Sequence, residues 1–279
     1  MKRFKKVYLE ISNVCNLACS FCPGTNRKPM IMQEQQFTNA LTKLRPWTDF
    51  LYFHLMGEPL CHPHLARYLQ MAVAAGFKVI ITTNGTLLGK CGDILLDNGV
   101  HKVNVSLHAF EANDLAVPFS EYIDGCVKFG KKAEGKAIVC YRLWNNGGND
   151  ELNDQILTQL HSAYHSEWVQ ETRGIRMGQK VYLEFGDRFD WPDLAAEDQG
   201  ANMFCYGLRD QLGVLCDGTV VPCCLDRDGM IALGNLFEED LDQILASPRA
   251  QALYEGFSCG NASEELCRKC GFARRFRST

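Results

Sequence analysis

The feature that most constrains this 279-residue chain is an alternation that runs through its first two-thirds. Short runs of β-branched and aromatic residues, at Lys6–Asn13, Phe50–Met56, Lys78–Thr83, Lys102–His108, Ala137–Leu143 and Val181–Phe185, are bounded by turn residues and read as strands. Between them lie stretches of helical periodicity: Gln33–Leu44, Leu65–Ala75, Leu87–Asn98, a segment near Glu121–Ala133, and Leu152–Val169. In the second of these Leu65, Leu69, Ala72 and Val73 make one apolar face, and Gly76 just beyond supplies the stop. Strand–helix alternation builds a parallel sheet with right-handed crossovers. Six such units fit before Trp191, whereas a closed eight-unit barrel takes about 250 residues. The chain is therefore an incomplete barrel or an open doubly wound sheet. Either architecture puts its chemistry at the C-terminal ends of the strands.

After Trp191-Pro192 the pattern changes. Asp217-Gly218 marks a hairpin turn within Val214–Pro222, and Leu236–Leu245 and Arg249–Phe257 are amphipathic. We read 1–190 as one domain and 191–279 as a second, small one with little core of its own, of the kind that a metal holds together. The chain carries fourteen cysteines. The basic opening, Met1 to Lys6, looks like the start of a signal peptide, but Val7 to Ser12 alternates in polarity and forms no apolar export core. Reduced thiols in a cytoplasmic protein point to metal rather than to disulfides. No run of eighteen apolar residues is present, so no membrane span is expected. A net charge of −4 without a basic stripe argues against a nucleic-acid module.

Cys15, Cys19 and Cys22 follow the first strand at once. Three thiolates in one loop can hold three corners of an iron–sulfur cube, which takes four cysteines when the protein alone ligates it. With no fourth cysteine nearby, one iron stays open, and an open position separates a catalytic centre from a closed structural one. Zinc is the rival, although its ligands usually come as two separated pairs.

This CxxxCxxC loop resembles the signature of radical S-adenosylmethionine (SAM) enzymes, which use a partial (β/α)6 TIM-like barrel. The resemblance covers about residues 7–190 and implies a fold, an activity and a set of roles. The cysteines would hold a 4Fe-4S cluster that reductively cleaves SAM to a 5′-deoxyadenosyl radical, which abstracts hydrogen from a substrate. Met56-Gly57-Glu58-Pro59, at the second strand's end, is similar to the motif that receives the methionine amino group. Thr83 and Asn84 close the third strand beside the cofactor, Ser106 closes the fourth, and Arg142 would meet the SAM carboxylate. No protein side chain beyond the cluster is assigned a catalytic step. Strand-end hydroxyls such as Thr83 and Ser106 equally satisfy backbone groups, Arg142 equally makes a barrel salt bridge, and His108 is a lone histidine. Cys61, Cys91, Cys126 and Cys140 read as small buried apolar residues.

The C-terminal cysteines resemble the auxiliary-cluster domain known as SPASM, in its shortened twitch version with a single cluster. The resemblance implies a second 4Fe-4S cluster on Cys205, Cys223, Cys267 and Cys270 that accepts an electron. Cys224 is an alternative to Cys223, because neighbours in a strand point to opposite faces. Cys216 and Cys259 are left over, and a structural zinc on the same four thiols is the rival.

The expected function is thus a radical SAM enzyme, oxidoreductase-like, performing dehydrogenation or crosslinking on an unidentified small-molecule or peptide substrate. Its reductant would be a flavodoxin or ferredoxin, with neither membrane nor nucleic acid as partner. The first strand begins at about residue 6, without a preceding peptide-recognition domain, which leans against a ribosomal-peptide maturase. A tRNA-modifying or other small-molecule-modifying relative, and a non-enzymatic iron–sulfur electron carrier or scaffold, are the competing readings. Glu184, Phe185, Asp187, Phe189 and Trp191 either line a substrate pocket or pack the domain junction.

Overall fold

The computed structural model describes residues 3–172 and 174–276. Met1 and Lys2 of the basic opening, Arg173, and the last three residues lie outside that description.

The elements run β1 (Lys6–Leu9), α1 (Glu34–Leu44), β2 (Phe50–Tyr52), α2 (Leu65–Ala74), β3 (Lys78–Thr83), α3 (Leu88–Asp97), β4 (Lys102–Ser106), α4 (Phe119–Ala133), β5 (Ile138–Asn146) and α5 (Asn153–Ala163). They continue β6 (Val169–Glu171), β7 (Gly174–Gly178), β8 (Val181–Asp187), β9 (Gln211–Val214), β10 (Thr219–Val221), β11 (Gly234–Asn235), α6 (Leu241–Ala246), α7 (Pro248–Ser258) and α8 (Glu265–Arg268). A single sheet holds the strands in the order β11-β10-β9-β1-β2-β3-β4-β5-β8-β7-β6. Every pairing from β9 to β8 is parallel, and the flanking pairings are antiparallel. Of the two architectures that the alternation allowed, this is the α/β incomplete barrel that the resemblance implied.

Strand alternation sorts the side chains. Val7, Leu9, Leu51, Val79, Ile81, Val103, Val105, Val139, Tyr141, Val181 and Leu183 point to the helix layer and join one buried apolar cluster with Phe37, Leu41, Leu69, Leu95, Phe129 and Leu160. The other face of the same strands is polar and aromatic. It carries Tyr8, Glu10, Tyr52, His54, Asn104, Cys140, Arg142 and Glu184, and it lines the barrel interior. Asn104 Nδ2 donates to Thr82 Oγ1 across β3 and β4 at 3.1 Å, one of few interior polar links between strands.

Two expectations are corrected. The helix expected over Leu152–Val169 ends at Ala163. Tyr164 leaves the helical path to bury its ring beside Tyr141, and Trp168 folds back, its Nε1 donating to Tyr164 O at 3.1 Å. Val169 then opens a hairpin, β6–β7, whose strands show no clean period of two. Second, the ladders of β1 and β2 stop short of Asn13 and Met56, because the chain beyond each is taken up by loop contacts described below. The C-terminal segment packs into the barrel's core. β9 pairs in parallel with β1 over Lys6–Leu9, and Leu212, Val214, Leu236, Ile244, Leu253 and Phe257 belong to the barrel's own apolar cluster. Among the described residues no helix is long and apolar enough to cross a membrane.

Candidate active site

The loop after β1 is closed at its base by Asn13. Its Oδ1 accepts from Met30 N at 2.7 Å and its Nδ2 donates to Lys28 O at 2.9 Å, so the segment between leaves and returns at one point. Cys15, Cys19 and Cys22 lie on this segment, laid across the ends of β3 and β4. Ala18 N donates to Asn113 Oδ1 (3.1 Å) and Ser20 N to Ala112 O (3.0 Å). Asn84 Nδ2 donates to Asn16 Oδ1 (2.9 Å) and Asn16 Nδ2 to Thr86 Oγ1 (2.9 Å).

The sulfurs receive donors: Asn113 Nδ2 reaches Cys19 Sγ at 3.2 Å and Leu17 N reaches Cys15 Sγ at 3.5 Å. Such donors stabilise a thiolate and tune a metal bound to it. Burial raises Cys15 to about 11, with Glu58, Cys19 and Cys61 adding to the effect. Cys19 is raised by burial and by Cys22. Among the described residues no three His, Cys, Asp or Glu side chains converge on a single ion. A cube takes each thiolate on a different iron, and three cysteines on one loop supply three of its four corners. The donor set fits the cube.

The turn after β2 abuts this loop. Gly57 adopts φ +78°, and a Cβ there would stand 2.4 Å from Ser12 O and 2.9 Å from Asn13 Cα, so only glycine lets the turn reach the loop's base. Glu58 is 2% exposed. Its Oε1 accepts from Leu60 N at 3.0 Å and its Oε2 from Asn84 N at 2.7 Å, which ties the ends of β2 and β3 together. Burial raises its carboxyl to about 7, against the lowering effect of these donors and of Thr83. Thr83 Oγ1 also accepts from Gly85 N, as a strand-end hydroxyl does (3.1 Å). Ser106 sits half-buried opposite Arg142 in the β4–β5 register. Arg142 points inward. Its Nε lies 3.3 Å from Glu184 Oε2 and its guanidinium stacks on Trp144 at 4.5 Å. His108 Nδ1 lies 3.0 Å from Arg142 O, and its ring is 5.0 Å from Phe21 of the cysteine loop. Among the described residues His54 Nδ1 and Trp144 Nε1, both buried, find no hydrogen-bond partner. Burial and the nearby Arg142 charge push His54 down to about 3, so it is neutral.

The sequence reading missed Glu10 and Arg27. Glu10 is fully buried and meets Arg27 in a two-pronged ion pair, Nη1–Oε1 at 2.7 Å and Nη2–Oε2 at 2.8 Å. Oε2 also accepts from Met56 N (3.0 Å), Oε1 from Cys216 N (3.2 Å), and Arg27 Nε donates to Arg227 O (2.9 Å). One carboxylate thus joins the cysteine loop, the Gly57 turn and the C-terminal segment. The signal available in sequence was a charged residue at an inward position of the first strand.

In the C-terminal segment Cys223 is raised well above its ordinary value by burial and by Cys224, Cys205, Cys267 and Cys270. Cys267 is raised by burial, then Cys205 and Cys270. Cys205, Cys223, Cys224, Cys267 and Cys270 are thus close enough to act on one another's charge. Cys224 also hydrogen-bonds with Tyr8 and packs in a second apolar cluster with Leu55, Met56, Tyr52, Trp191 and Cys22. Cys216 is buried, its Sγ 3.1 Å from Glu10 O, and Cys259 is exposed at the end of α7. Cys126 and Cys140 are buried as read, whereas Cys61 and Cys91 are only half-buried.

A strand-end cysteine trio over an incomplete barrel, with more cysteines in the C-terminal segment, fits an iron–sulfur enzyme. Residues 9–126 match the radical SAM superfamily and residues 205–271 match SPASM, an iron–sulfur cluster-binding domain. The chain thus carries a radical SAM domain followed by a SPASM domain, and the two imply an enzyme that uses SAM, a 4Fe-4S cluster and auxiliary iron–sulfur. It is 22% identical to the S-adenosyl-L-methionine-dependent 2-deoxy-scyllo-inosamine dehydrogenase of Niallia circulans, over 96% of this chain and 93% of that protein. Its fold is similar to that of BtrN solved with AdoMet and 2-DOIA (TM-score 0.62, 20% identity, 97% of this chain and 94% of that one). It is also similar to Streptococcus suis SuiB bound to S-adenosylmethionine (TM-score 0.64, 18% identity, 96% of this chain and 72% of that one).

Proposed function

We propose that the chain is a cytoplasmic radical SAM dehydrogenase that oxidises a carbon bearing a hydroxyl or amino group on a small polar molecule. The observation that carries this reading is the polar inner layer beneath the cysteine trio, where Arg142 and Glu184 present a donor and an acceptor side by side. A neutral polyol or amino alcohol can satisfy both at once. The similarity to an aminocyclitol dehydrogenase over nearly the whole of both chains supports it.

When bound, the cluster and SAM supply a 5′-deoxyadenosyl radical that takes one hydrogen atom from the substrate. We assign Cys15, Cys19 and Cys22 to that cluster. Gly57, Glu58 and Pro59 form the turn that receives the SAM ammonium, and an ionised Glu58 makes with it a contact of the charge-assisted kind. Thr83, Asn84 and Ser106 border the cofactor. Arg142, already engaged by Glu184, is better suited to substrate than to the SAM carboxylate. Glu184 holds the proton that a substrate hydroxyl gives up. Cys205, Cys223, Cys267 and Cys270 hold the auxiliary group, to which we assign acceptance of the remaining electron, so that hydrogen atom, proton and electron balance a two-electron oxidation. Residues 1–190 serve the radical step and 191–279 the auxiliary one.

The test is anaerobic reconstitution with iron and sulfide, then SAM and dithionite. Formation of 5′-deoxyadenosine supports the radical step. A ketone or aldehyde formed in equal amount from an amino alcohol or cyclitol supports the dehydrogenation. A second reading, a peptide maturase, draws on the likeness to SuiB, solved also with precursor peptide SuiA. A crosslinked peptide product with no reaction of small alcohols would favour it.

A further inference from the structure

Three buried polar atoms on the inner face of the barrel have no hydrogen-bond partner among the described residues: His54 Nδ1, Asn104 Oδ1 and Trp144 Nε1. A folded chain leaves few such atoms, because each gives up water and gains nothing in return. The strand register shows where they stand. Thr82, Asn104, Cys140 and Tyr182 are paired neighbours and form one inward layer across β3, β4, β5 and β8. Ser106, Arg142 and Glu184 form the next layer, nearer the cysteine loop. His54 follows β2 at the level of Thr82, since Tyr52 pairs with Ile80. Trp144 lies two residues beyond Arg142 on β5.

Their surroundings hold them in place. Asn104 is 1% exposed, and its Nδ2 is taken by Thr82, which leaves Oδ1 to be met from the barrel interior. The His54 ring stands edge-on to Tyr8 at 5.4 Å and lies 6.0 Å from Tyr52, and those two rings are 5.0 Å apart. Trp144 carries the Arg142 guanidinium on its ring. A Cβ at Gly186 would stand 2.8 Å from Trp144 Cδ1, so β8 accommodates the indole because residue 186 is glycine. Space adjoins the Asn104 layer: a cavity of about 160 Å³ has Tyr52, Cys140 and Tyr182 in its lining.

We propose that His54, Asn104 and Trp144 read substrate hydroxyls other than the one oxidised, and so select a polyhydroxylated ring over a simple alcohol. The inference rests on the dehydrogenase reading and deepens it: Arg142 and Glu184 meet the reacting group, and these three side chains meet its neighbours. Asn104 Oδ1 only accepts and Trp144 Nε1 only donates, while neutral His54 does either, according to its tautomer. A hydroxyl serves all three, since it both donates and accepts, whereas a carboxylate or phosphate donates nothing to Asn104. The rings of Tyr8, Tyr52 and His54 supply the apolar wall that a small-molecule site sets around a few placed polar groups. A site built to bond a hydroxyl rejects the analogue that lacks it.

The test uses the anaerobically reconstituted full chain loaded with SAM, with binding of scyllo-inositol, glucosamine and cyclohexanol followed by calorimetry. The wild type should bind at least one of the two polyols, about tenfold or more tightly than cyclohexanol. H54F and N104L should each weaken that polyol binding about tenfold or more, and should bind cyclohexanol and SAM as the wild type does. H54F should melt at or above the wild-type temperature, because phenylalanine removes an unpartnered polar atom from the interior. Unchanged polyol binding by both variants overturns the proposal, and is the result expected if ordered water alone meets these atoms. A wild type that binds neither polyol, or binds them no better than cyclohexanol, overturns it too. So does an equal weakening of SAM binding in both variants, which would mark general damage. A polyol bound with the expected dependence but not oxidised would leave the proposal standing and overturn the dehydrogenase reading.

Discussion

The buried Glu10–Arg27 pair invites the sharpest perturbation. Truncating Arg27 to alanine leaves a carboxylate that is fully buried, with only two backbone donors, Met56 N and Cys216 N, to compensate it. Removing one partner of a buried pair costs about 3–5 kcal/mol, because the other charge is stranded. A domain of this size shifts by about 2–4 °C per kcal/mol, so R27A should lower the melting temperature by about 6–20 °C. Replacing both partners by methionine should recover most of that loss, since apolar groups of similar volume often substitute for an ion pair. The assay is thermal unfolding of the anaerobically reconstituted protein, followed by circular dichroism. The same samples should show weaker SAM binding in R27A, because Glu10 anchors Met56 at the head of the Gly57-Glu58 turn. A loss below about 1 kcal/mol, or a double replacement no better than R27A, would refute the reasoning.

Four further outcomes are expected. E58Q should weaken SAM binding about tenfold or more, the worth of a hydrogen bond to a charged group, measured by titration of the reconstituted protein. SAM affinity of the wild type should rise from pH 6 to pH 8, because a carboxyl raised to about 7 must ionise to hold an ammonium, and E58Q should lose this rise. The sign for stability is opposite: a folded value above the ordinary 4.5 makes the native state bind more protons, so this group's contribution falls as pH climbs from about 4.5 through about 7. C267A should keep 5′-deoxyadenosine formation and lose substrate oxidation, and wild-type turnover by C267A would remove the auxiliary role. G57A should be destabilised by more than about 1–2 kcal/mol, the left-handed penalty alone, since its Cβ would stand 2.4 Å from the carbonyl of Ser12.

Much of the architecture was legible because it is written in period. Lys78–Thr83 is bounded as the sequence suggested, since a buried parallel strand between two helices has a local signature at both ends. The joining of β9 to β1 was not legible, because it pairs residues about two hundred positions apart and no local pattern records a partner. The β6–β7 hairpin was hidden behind a helical period that Tyr164 overrides by burying its ring. Of the site, the cysteine loop was legible by its spacing after the first strand, and the Gly57 turn only through its resemblance to a family motif. The Glu10–Arg27 clamp and the orientation of Arg142 toward Glu184 depend on which inward-facing side chains meet, and that is decided only when the sheet curls.

The central claim is that the three thiols beyond β1 hold an iron cube with one corner free for SAM. Electron paramagnetic resonance of the dithionite-reduced, oxygen-free protein, recorded with and without SAM, tests it most directly. The account predicts two reduced-cluster signals, of which one changes shape on adding SAM and vanishes in C19A. Signals indifferent to SAM, or zinc as the only metal bound by Cys15, Cys19 and Cys22, would contradict it.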